Sequence, residues 1–418
     1  MPPIDATALE DDLLLKGVWE GLGMPACHAT GGYVRDRLLG KKNVDLDLVL
    51  PGDLEDARGP ARRLAARLDT RAHILGRKAR RVWRIETPEL NIELWPPGEL
   101  SFDDDIRRRD FSCNALAWHL PDGPLEDRVG GLEDLAHGVL RAILKKNLIN
   151  DPVRLVRAPR FLAQLEGFNL DEKTAGWIRH LAPRLESAPR ERVGQELLKL
   201  LRAPGVERGL RSLVDLCLLE PAAPEKAHPE PGWLEIHPGA AARLANSAPH
   251  SVPAALREAG DAARLALLFH IWGAPSAGAV AAYAWARADR RHGARAAALL
   301  ENALAAVDAT AADRRVFIQA AGTAFPAVLA LAAAVDAENP GWRRWWRMWR
   351  NHGAELTDPH PLLSGEEIAA HLGLEPGPEL GRAVDALSEE QIRRDVRTPA
   401  GARRWLAQWS KMQGRLWS

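Results

Sequence analysis

Residues 31–50 restrict the fold of this chain more than any other stretch. They begin with Gly31-Gly32, continue through a helix-like segment as far as Gly40, and end in the apolar segment 43–50. Glycine adopts positive φ at little steric cost and lets the backbone approach a ligand closely. The N-terminal N–H groups of the following helix could face a phosphate. The pattern predicts a glycine turn, a short helix and then an apolar strand.

Two aspartates lie within this predicted strand. Because side chains two residues apart share one face of a strand, Asp45 and Asp47 should project together, while Leu46 and Leu48 face the other way. Two adjacent carboxylates repel each other unless a cation lies between them. Pairs of Mg²⁺ ions about 3.5–4 Å apart are the usual cations where phosphoryl chemistry occurs. The alternative is a pair of solvated acids on the wet face of a strand.

The order and spacing of these two features resemble a known family. Gly-Gly-x-Val-Arg-Asp over residues 31–36, followed by Asp-x-Asp over 45–47, is similar to the signature of the DNA polymerase β-like nucleotidyltransferases. This form resembles the branch that holds bacterial poly(A) polymerases and class II tRNA nucleotidyltransferases, the CCA-adding enzymes. The resemblance implies that Asp45 and Asp47 are catalytic and hold Mg²⁺. It also implies nucleotide contacts from Gly31, Gly32 and Arg35.

A third acid follows on a predicted hairpin. Residues 81–86 and 90–95 alternate like two antiparallel strands joined by a turn. Glu93 lies on the second strand, on the face opposite Ile92 and Leu94. The resemblance implies that Glu93 is the third catalytic acid of the site. An outward-facing glutamate on an amphipathic strand is the alternative.

The segment 105–116 matches the Arg-Arg-Asp-Phe-x-x-Asn-Ala motif of the same family. Adjacent arginines supply fork-shaped donors that suit a triphosphate. An aspartate beside them can accept a hydrogen bond from a ribose hydroxyl. Basic residues before an apolar helix are more often surface charge. The resemblance implies that four residues here bind the nucleotide, namely Arg108, Arg109, Asp110 and Asn114.

Residues 150–161 are expected to open a helical neck. Asp151 and Arg154 are three apart and therefore neighbours on a helix surface. In the resembled family, the matching acid and arginine read the Watson–Crick edges of CTP and ATP. Asp151 before Pro152 also fits a plain N-cap. Arg157 and Arg160 continue the stripe toward phosphate, although Pro159 should kink the helix and leave the direction of Arg160 open.

Composition limits the class of protein. A chain of 418 residues is long enough for about three domains. Lys+Arg and Asp+Glu number 56 each, so net charge does not indicate a polyanion partner, and any RNA surface must come from segregated charge. Three cysteines without a C-x-x-C pair argue against a disulfide framework or zinc site. With no export signal and no apolar run of about 18 residues, we expect a cytoplasmic protein without a membrane partner.

Two C-terminal segments could contact RNA. Residues 341–350 interleave arginine and tryptophan, which suits RNA backbone contact with stacking. At helical spacing they could equally be a packed helix with arginines outside. Residues 362–381 resemble the family tail, with a helix, a Pro-Gly turn and another helix, and such a turn suits backbone phosphate.

The expected fold is α+β, with a small mixed-sheet polymerase β-like nucleotidyltransferase head followed by an all-α neck, body and tail. The predicted domains are the catalytic head at 1–140, the neck with its base-reading residues at 141–205, the body at 206–335, and a tRNA-binding tail at 336–418. The implied function is addition of CMP and AMP from CTP and ATP to tRNA 3′ ends, with Mg²⁺ and without DNA. A poly(A) polymerase and a non-catalytic RNA-binding protein are the alternatives.

The interval after the third-acid strand raises another alternative. Family members that add the final A carry a flexible loop between this strand and the Arg-Arg-Asp motif. Here residues 95–100 lead almost directly into 101–103, and two successive prolines restrict the link. A shortened loop resembles that of CC-adding enzymes. The basic link 76–81 is the competing candidate for a mobile element.

Overall fold

The computed structural model describes residue 4 and residues 7–76, 81–96, 98, 101–246, 252–394 and 396–416. The chain divides into two compact units. The first comprises Met1–Glu196 and Arg208–Ala222, and the second comprises Leu197–Glu207 and Ala223–Ser418. The four-domain boundaries derived from the sequence stay predictions. Most of the basic link 76–81 lies outside the described residues.

A mixed sheet forms the centre of the first unit. Its strands are β1 (His28–Thr30), β2 (Asp45–Val49), β3 (Ala72–Leu75), β4 (Val82–Glu86), β5 (Asn91–Trp95), β6 (Ala117–His119) and β7 (Leu125–Glu126). A separate small sheet contains β8 (Val139–Leu140) and β9 (Asn169–Leu170). The seven-stranded sheet has the order β3-β4-β5-β2-β1-β6-β7. Within it, β2 and β5 pair in parallel and the other neighbours are antiparallel. Strands β8 and β9 form a parallel pair.

Helices make up most of the rest of the chain. Those up to residue 222 are, in chain order, α1 (Thr7–Glu10), α2 (Leu13–Leu22), α3 (Gly32–Leu38), α4 (Arg58–Arg67), α5 (Phe102–Arg107), α6 (Gly131–His137), α7 (Lys145–Asn150), α8 (Val153–Gln164), α9 (Glu172–Leu181), α10 (Arg190–Leu201), α11 (Val206–Asp215) and α12 (Leu219–Ala222). Helix α10 extends across the boundary between the units, and α11 begins just before the second part of the first unit. The sheet with its helices confirms the α+β class.

The second unit is helical throughout its described residues. Its helices are α13 (Trp233–Ile236), α14 (Ala240–Asn246), α15 (Pro253–Ala259), α16 (Asp261–Ile271), α17 (Arg287–Ala305), α18 (Ala311–Ala321), α19 (Phe325–Val335), α20 (Gly341–Thr357), α21 (Gly365–Leu372), α22 (Pro378–Arg393) and α23 (Pro399–Leu416). On α20, Trp342 and Trp345 are buried, whereas Arg343 and Arg347 are exposed. This is the packed-helix arrangement, with a basic outer face.

One stretch of the second unit, Ala311–Val335, is long and apolar enough to cross a membrane by length and composition alone. It contains α18 and α19, and 67% of its most apolar window is buried inside the fold. Helix α19 packs against α15, α16 and α17. Such burial is typical of a core helix.

The alternation of β2 and β5 fixes which side chains face the core. Four side chains of these strands are fully buried, namely those of Leu46, Leu48, Ile92 and Leu94. Burial of each stabilises the folded state by about 1.5–3 kcal/mol. The side chains between them therefore lie on the opposite face. The hairpin predicted at 81–95 is confirmed, with β4 and β5 antiparallel.

The N-terminal helical segment is broken before Leu13, between α1 and α2. The carboxylate of Asp12 accepts hydrogen bonds from the N–H groups of Leu14 and Leu15 at 3.0 and 3.3 Å, and so begins α2 as its N-cap. Leu13, the first residue of α2, is 81% exposed. A cap of this type starts a new helix rather than continuing the previous one.

Candidate active site

The glycine turn lies directly against the acidic strand. Gly31 has φ 76° and ψ −144°, a conformation that side chains other than glycine rarely adopt. A Cβ atom at Gly31 would lie 2.8 Å from Oδ2 of Asp47 and 3.3 Å from Nη1 of Arg109. The turn, the acid and the arginine therefore share one small space in which only glycine fits.

The three predicted acids lie on adjacent strands. In the parallel register, Asp47 is beside Glu93 and Asp45 is beside Asn91. The amide of Asn91 donates to Oδ1 of Asp45 at 2.9 Å and orients this exposed carboxylate. Glu93 also lies 3.5 Å from Nη1 of Arg84 on β4. The structure thus places Asp47 and Glu93 side by side, with Glu93 additionally paired to an arginine.

The electrostatics of Asp47 show an excess of negative charge. The pKa of Asp47 is raised from 3.8 to about 6, chiefly by burial and also by the charges of Glu93 and Asp45, against the lowering effect of Arg109. The nearby arginine therefore does not fully offset burial and the two neighbouring acids. A cation bound between the carboxylates would stabilise the ionised form.

The donor set fits Mg²⁺ shared with a substrate. Among the described residues, no group of three or more metal-ligating side chains converges on a single point. Mg²⁺ is typically bound by one or two carboxylates together with substrate phosphates, rather than by an all-protein cage. Asp45 and Asp47, adjacent on one strand face, match that requirement.

The raised pKa of Asp47 gives a testable dependence of stability on pH. Because the folded state binds this proton more tightly than the unfolded chain, folding stability falls as pH rises from about 4 through 6. Asp47→Asn removes this titration. Thermal unfolding in EDTA should therefore show the variant gaining stability over the natural protein across this interval. If the difference in melting temperature between Asp47→Asn and the natural protein were the same at pH 4 and pH 7, this assignment would be contradicted.

The Arg-Arg-Asp segment lies beside the acids, but its three side chains have different environments. Arg109 donates to Oδ2 of Asp105 at 3.2 Å and lies near Asp47. Arg108 is exposed. Asp110 is buried, and Nε of Arg157 lies 3.1 Å from its Oδ2. Burial opposes ionisation of Asp110, but Arg157 and hydrogen bonds lower its pKa.

A buried polar network lies behind the glycine turn. Arg35 on α3 donates through Nη1 to Oδ1 of Asn114, and Nδ2 of Asn114 donates to Oδ1 of Asp110 at 3.1 Å. Arg157 on α8 completes the series through its ion pair with Asp110. The four side chains connect α3, the turn after α5, and α8. Their polar groups are engaged with one another in this structure.

Phe161 is surrounded by three guanidinium groups. The Cζ atoms of Arg35, Arg157 and Arg160 lie 5.2, 5.4 and 3.9 Å from the centroid of its ring. Arg160 is buried, and its Nε lies 2.6 Å from Oε2 of Glu196. Burial lowers the pKa of Arg160 to about 10. The structure thus places Arg160 inside the protein.

Helix α8 continues through Pro159, which lies within its bounds of Val153–Gln164. The kink expected there does not end the helix. The orientation of the arginines on α8 is set by their contacts with Asp110 and Glu196.

The base-reading pair predicted on the neck is already engaged by other groups. Both oxygens of Asp151 accept from the guanidinium of Arg192, at 2.9 and 2.8 Å. Nη1 of Arg154 donates to the backbone oxygen of Arg108 at 2.6 Å, and its Nε lies 3.8 Å from Asp151. Asp151 has an extended backbone, with φ −140° and ψ 87°, and precedes Pro152, which is the cap residue assigned to α8. The plain N-cap alternative for Asp151 stays a prediction.

Arg192 was not identified from the sequence. It lies 41 residues from Asp151, at the beginning of α10, and no local pattern connects the two positions. An arginine near the start of an amphipathic helix ordinarily indicates surface charge. Only the packing of α10 brings it to the neck acid.

Carboxylates on neighbouring strands, a close glycine turn and adjacent arginines are the features that a nucleotidyltransferase site requires. The chain matches the Poly A polymerase head domain over residues 27–141 and the probable RNA and SrmB-binding site of polymerase A over 167–228. The chain belongs to the tRNA nucleotidyltransferase and poly(A) polymerase family.

Relatives along the whole chain support this membership. The A-adding tRNA nucleotidyltransferase of Deinococcus radiodurans is 33% identical over 93% of this chain and 96% of its own length. The CC-adding tRNA nucleotidyltransferase of Thermus thermophilus is 32% identical over 91% of this chain and 92% of its own. The Bacillus stearothermophilus CCA-adding enzyme in complex with CTP has the same fold, with a TM-score of 0.70 at 22% identity, over 96% of this chain and 98% of its own.

Proposed function

We propose that this protein adds CMP and AMP from CTP and ATP to tRNA 3′ ends without a nucleic-acid template. The observation that carries the proposal is the placement of Asp45, Asp47 and Glu93 on adjacent strands beside Gly31 and Arg109. The full-length relatives that add C or A to tRNA support the substrate. Because these relatives are bacterial tRNA-processing enzymes, the proposed compartment is the cytoplasm.

Asp45 and Asp47, with Glu93 beside them, would hold Mg²⁺ at this site. The chemistry that Mg²⁺ would supply there is activation of the primer 3′-hydroxyl and stabilisation of the leaving pyrophosphate. Asn91 keeps Asp45 oriented by its hydrogen bond. Gly31 and Gly32 leave space for the nucleotide, because a Cβ at Gly31 would intrude upon Asp47.

Arg108 and Arg109 would hold the triphosphate. The guanidinium of Arg109 lies beside the acidic strand, and that of Arg108 is exposed. Fork-shaped donors bind phosphate oxygens in pairs and offset their charge. The proposed phosphate contacts thus come from the turn that follows α5.

Asp151 and Arg154 would select the base. A carboxylate offers about four acceptor sites in general, and in the proposed complex Asp151, bound by Arg192 through both oxygens, also accepts from the exocyclic amine of cytosine or adenine. Uracil and guanine lack an amine at the matching position. Arg154 would donate to a ring nitrogen or carbonyl oxygen of the base.

Arg35, Asp110, Asn114, Arg157 and Arg160 complete the proposed nucleotide site. Their buried contacts with one another and with Glu196 favour a role in holding the glycine turn and α8 in position. A buried network whose members are all engaged is rigid. For these side chains to contact the nucleotide directly, their ion pairs would have to break and be replaced by contacts with the nucleotide.

The experiment is incubation of the protein and Mg²⁺ with tRNA lacking its terminal CCA, each nucleotide being supplied separately and then together. Incorporation of C from CTP alone, and of A only after C, supports the proposal. A long tract from ATP alone would indicate the poly(A) polymerase. Absence of any incorporation, with tRNA still bound, would indicate the non-catalytic RNA-binding protein.

A second candidate is an enzyme that adds only the two C residues. The observation that favours it is the short interval between β5, which ends at Trp95, and α5, which begins at Phe102. This interval is where A-adding members of the resembled family carry their flexible loop. The protein would then depend on a partner enzyme for the final A.

The two candidates differ in one expected result. Given tRNA ending in CC and ATP alone, the CCA-adding enzyme extends the RNA by one nucleotide, measured on a sequencing gel. The CC-adding enzyme leaves this RNA unchanged but still incorporates CMP into shorter ends. Efficient addition of one A would therefore eliminate the second candidate.

A further inference from the structure

Helix α5 (Phe102–Arg107) connects the third-acid strand to the nucleotide arginines, and side chains from β1 and β7 hold its first turn. The ring of Phe102 stacks on the imidazole of His28, with centroids 4.1 Å apart and an interplanar angle of 22°. The ring of His119 on β6 lies edge-on to the His28 ring, with centroids 4.9 Å apart. The helix thus begins on an aromatic support.

An ionic chain joins the same support to the next residue of α5. Nε2 of His28 lies 3.4 Å from Oε1 of Glu126, and Nη2 of Arg128 donates to Oε2 of Glu126 at 2.8 Å. Nε of Arg128 lies 3.3 Å from Oδ1 of Asp103. Because Phe102 and Asp103 are adjacent in the chain, these contacts form a closed ring. We call these five residues, His28, Phe102, Asp103, Glu126 and Arg128, the α5 clamp.

The other end of α5 orients the residues proposed to read and hold the nucleotide. Nδ2 of Asn147 donates to the backbone oxygens of Arg107 and Arg109, at 2.8 Å each. Nη1 of Arg154 donates to the backbone oxygen of Arg108 at 2.6 Å. The direction of the Arg154 side chain is therefore set by the position of the turn that follows α5.

A helix of six residues cannot hold its own position, since isolated helices this short are marginal in water. Ile106 is the buried residue of α5 and packs with Ala115 and Ala117, with Phe102 against them. One buried side chain leaves rotation about the helix axis weakly restrained. The clamp contacts at its first turn supply the missing restraint.

We propose that the α5 clamp is a positioning device for base selection. By fixing the first turn of α5, it fixes the backbone carbonyl of Arg108 that orients Arg154. This inference rests on the proposed role of Arg154 in reading the base. In this proposal the clamp residues are positioning residues, which act on selection through α5.

The test uses Phe102→Leu, which keeps apolar packing against Ile106 but loses the stack on His28, and Arg128→Ala, which opens the ionic chain. The control is Arg67→Ala, which removes an ion pair with Glu20 of similar exposure away from α5. The values of kcat/KM are measured for CTP, ATP, UTP and GTP on tRNA lacking CCA. Selectivity for CTP and ATP should fall about two- to tenfold in Phe102→Leu, because the interaction free energy of one aromatic pair corresponds to a factor of this size.

The expected pattern separates positioning from general damage. Phe102→Leu and Arg128→Ala should incorporate UMP and GMP more readily relative to CMP, while Arg67→Ala keeps the natural ratios. An equal decrease for all four nucleotides, or unchanged ratios in both clamp variants, would overturn the proposal.

A second measurement does not depend on transfer activity. Hydrogen exchange of the peptide covering residues 101–110 should be faster in both clamp variants and unchanged in Arg67→Ala. Unchanged exchange in the clamp variants would show that the ring does not hold α5, and would overturn the proposal. If the natural protein transferred no nucleotide, the proposed function would fail, while this comparison would still decide whether the clamp holds α5.

Discussion

Asp45→Ala and Asp47→Ala should each lower CMP transfer by about 10²- to 10³-fold or more, the usual cost of removing one group that stabilises charge in a transition state. Both side chains lie on the polar face of β2, opposite the fully buried Leu46 and Leu48, so the core keeps its packing. Transfer is measured under single-turnover conditions with tRNA lacking CCA. Circular dichroism and thermal unfolding establish that each variant is folded.

The matched control is Glu89→Ala, which removes an exposed acid from the turn between β4 and β5. This variant should keep the activity of the natural protein, because its carboxylate lies outside the acid cluster. Near-full Mg²⁺-dependent activity in either aspartate variant would show that the metal-binding acids lie elsewhere. Loss of activity in the control would indicate a general effect of negative charge.

Arg154→Ala should reduce discrimination against UTP and GTP by about tenfold or more, since a good bidentate base contact is worth roughly 1–3 kcal/mol. The side chain is half-buried and lies between Asp151 and the backbone of Arg108, where the base is proposed to bind. Misincorporation of UMP and GMP is measured beside the kcat/KM values of CTP and ATP.

Arg108→Ala provides the contrast for base selection. If Arg108 contacts only phosphate, its loss lowers kcat/KM equally for all four nucleotides and leaves the ratios between them unchanged. Arg154→Lys retains the charge without the planar fork, so it should behave more like Arg154→Ala than like the natural protein. An equal decrease of kcat/KM for all four nucleotides in Arg154→Ala would exclude a role of Arg154 in reading the base.

The sequence predicted those features of the site that depend on neighbouring residues. Alternation by two in β2 and β5 is local, so the shared face of Asp45 and Asp47 followed from the strand alone. The glycine turn was predicted from its composition, and Gly31 indeed has a positive φ. The break before α2 was not predicted, although Asp12 before a run of leucines is a local signal for it.

The remaining features depend on distant packing. Asp151 meets Arg192 across 41 residues, and Arg154 meets the backbone of Arg108 across 46. Burial of Arg160 depends on Glu196, which belongs to another helix. Each contact exists because helices from different parts of the chain pack together. Periodicity within one segment carries no information about such partners.

The most direct measurement is single-turnover CMP transfer to tRNA lacking CCA, with Mg²⁺ removed by EDTA and then restored by titration. The proposed site predicts no transfer in EDTA and a saturable return of activity in the natural protein, with Asp47→Ala inactive at every concentration. Equal transfer in EDTA and in Mg²⁺, or full rescue of Asp47→Ala by the metal, would contradict the assignment of this acid pair as the catalytic centre.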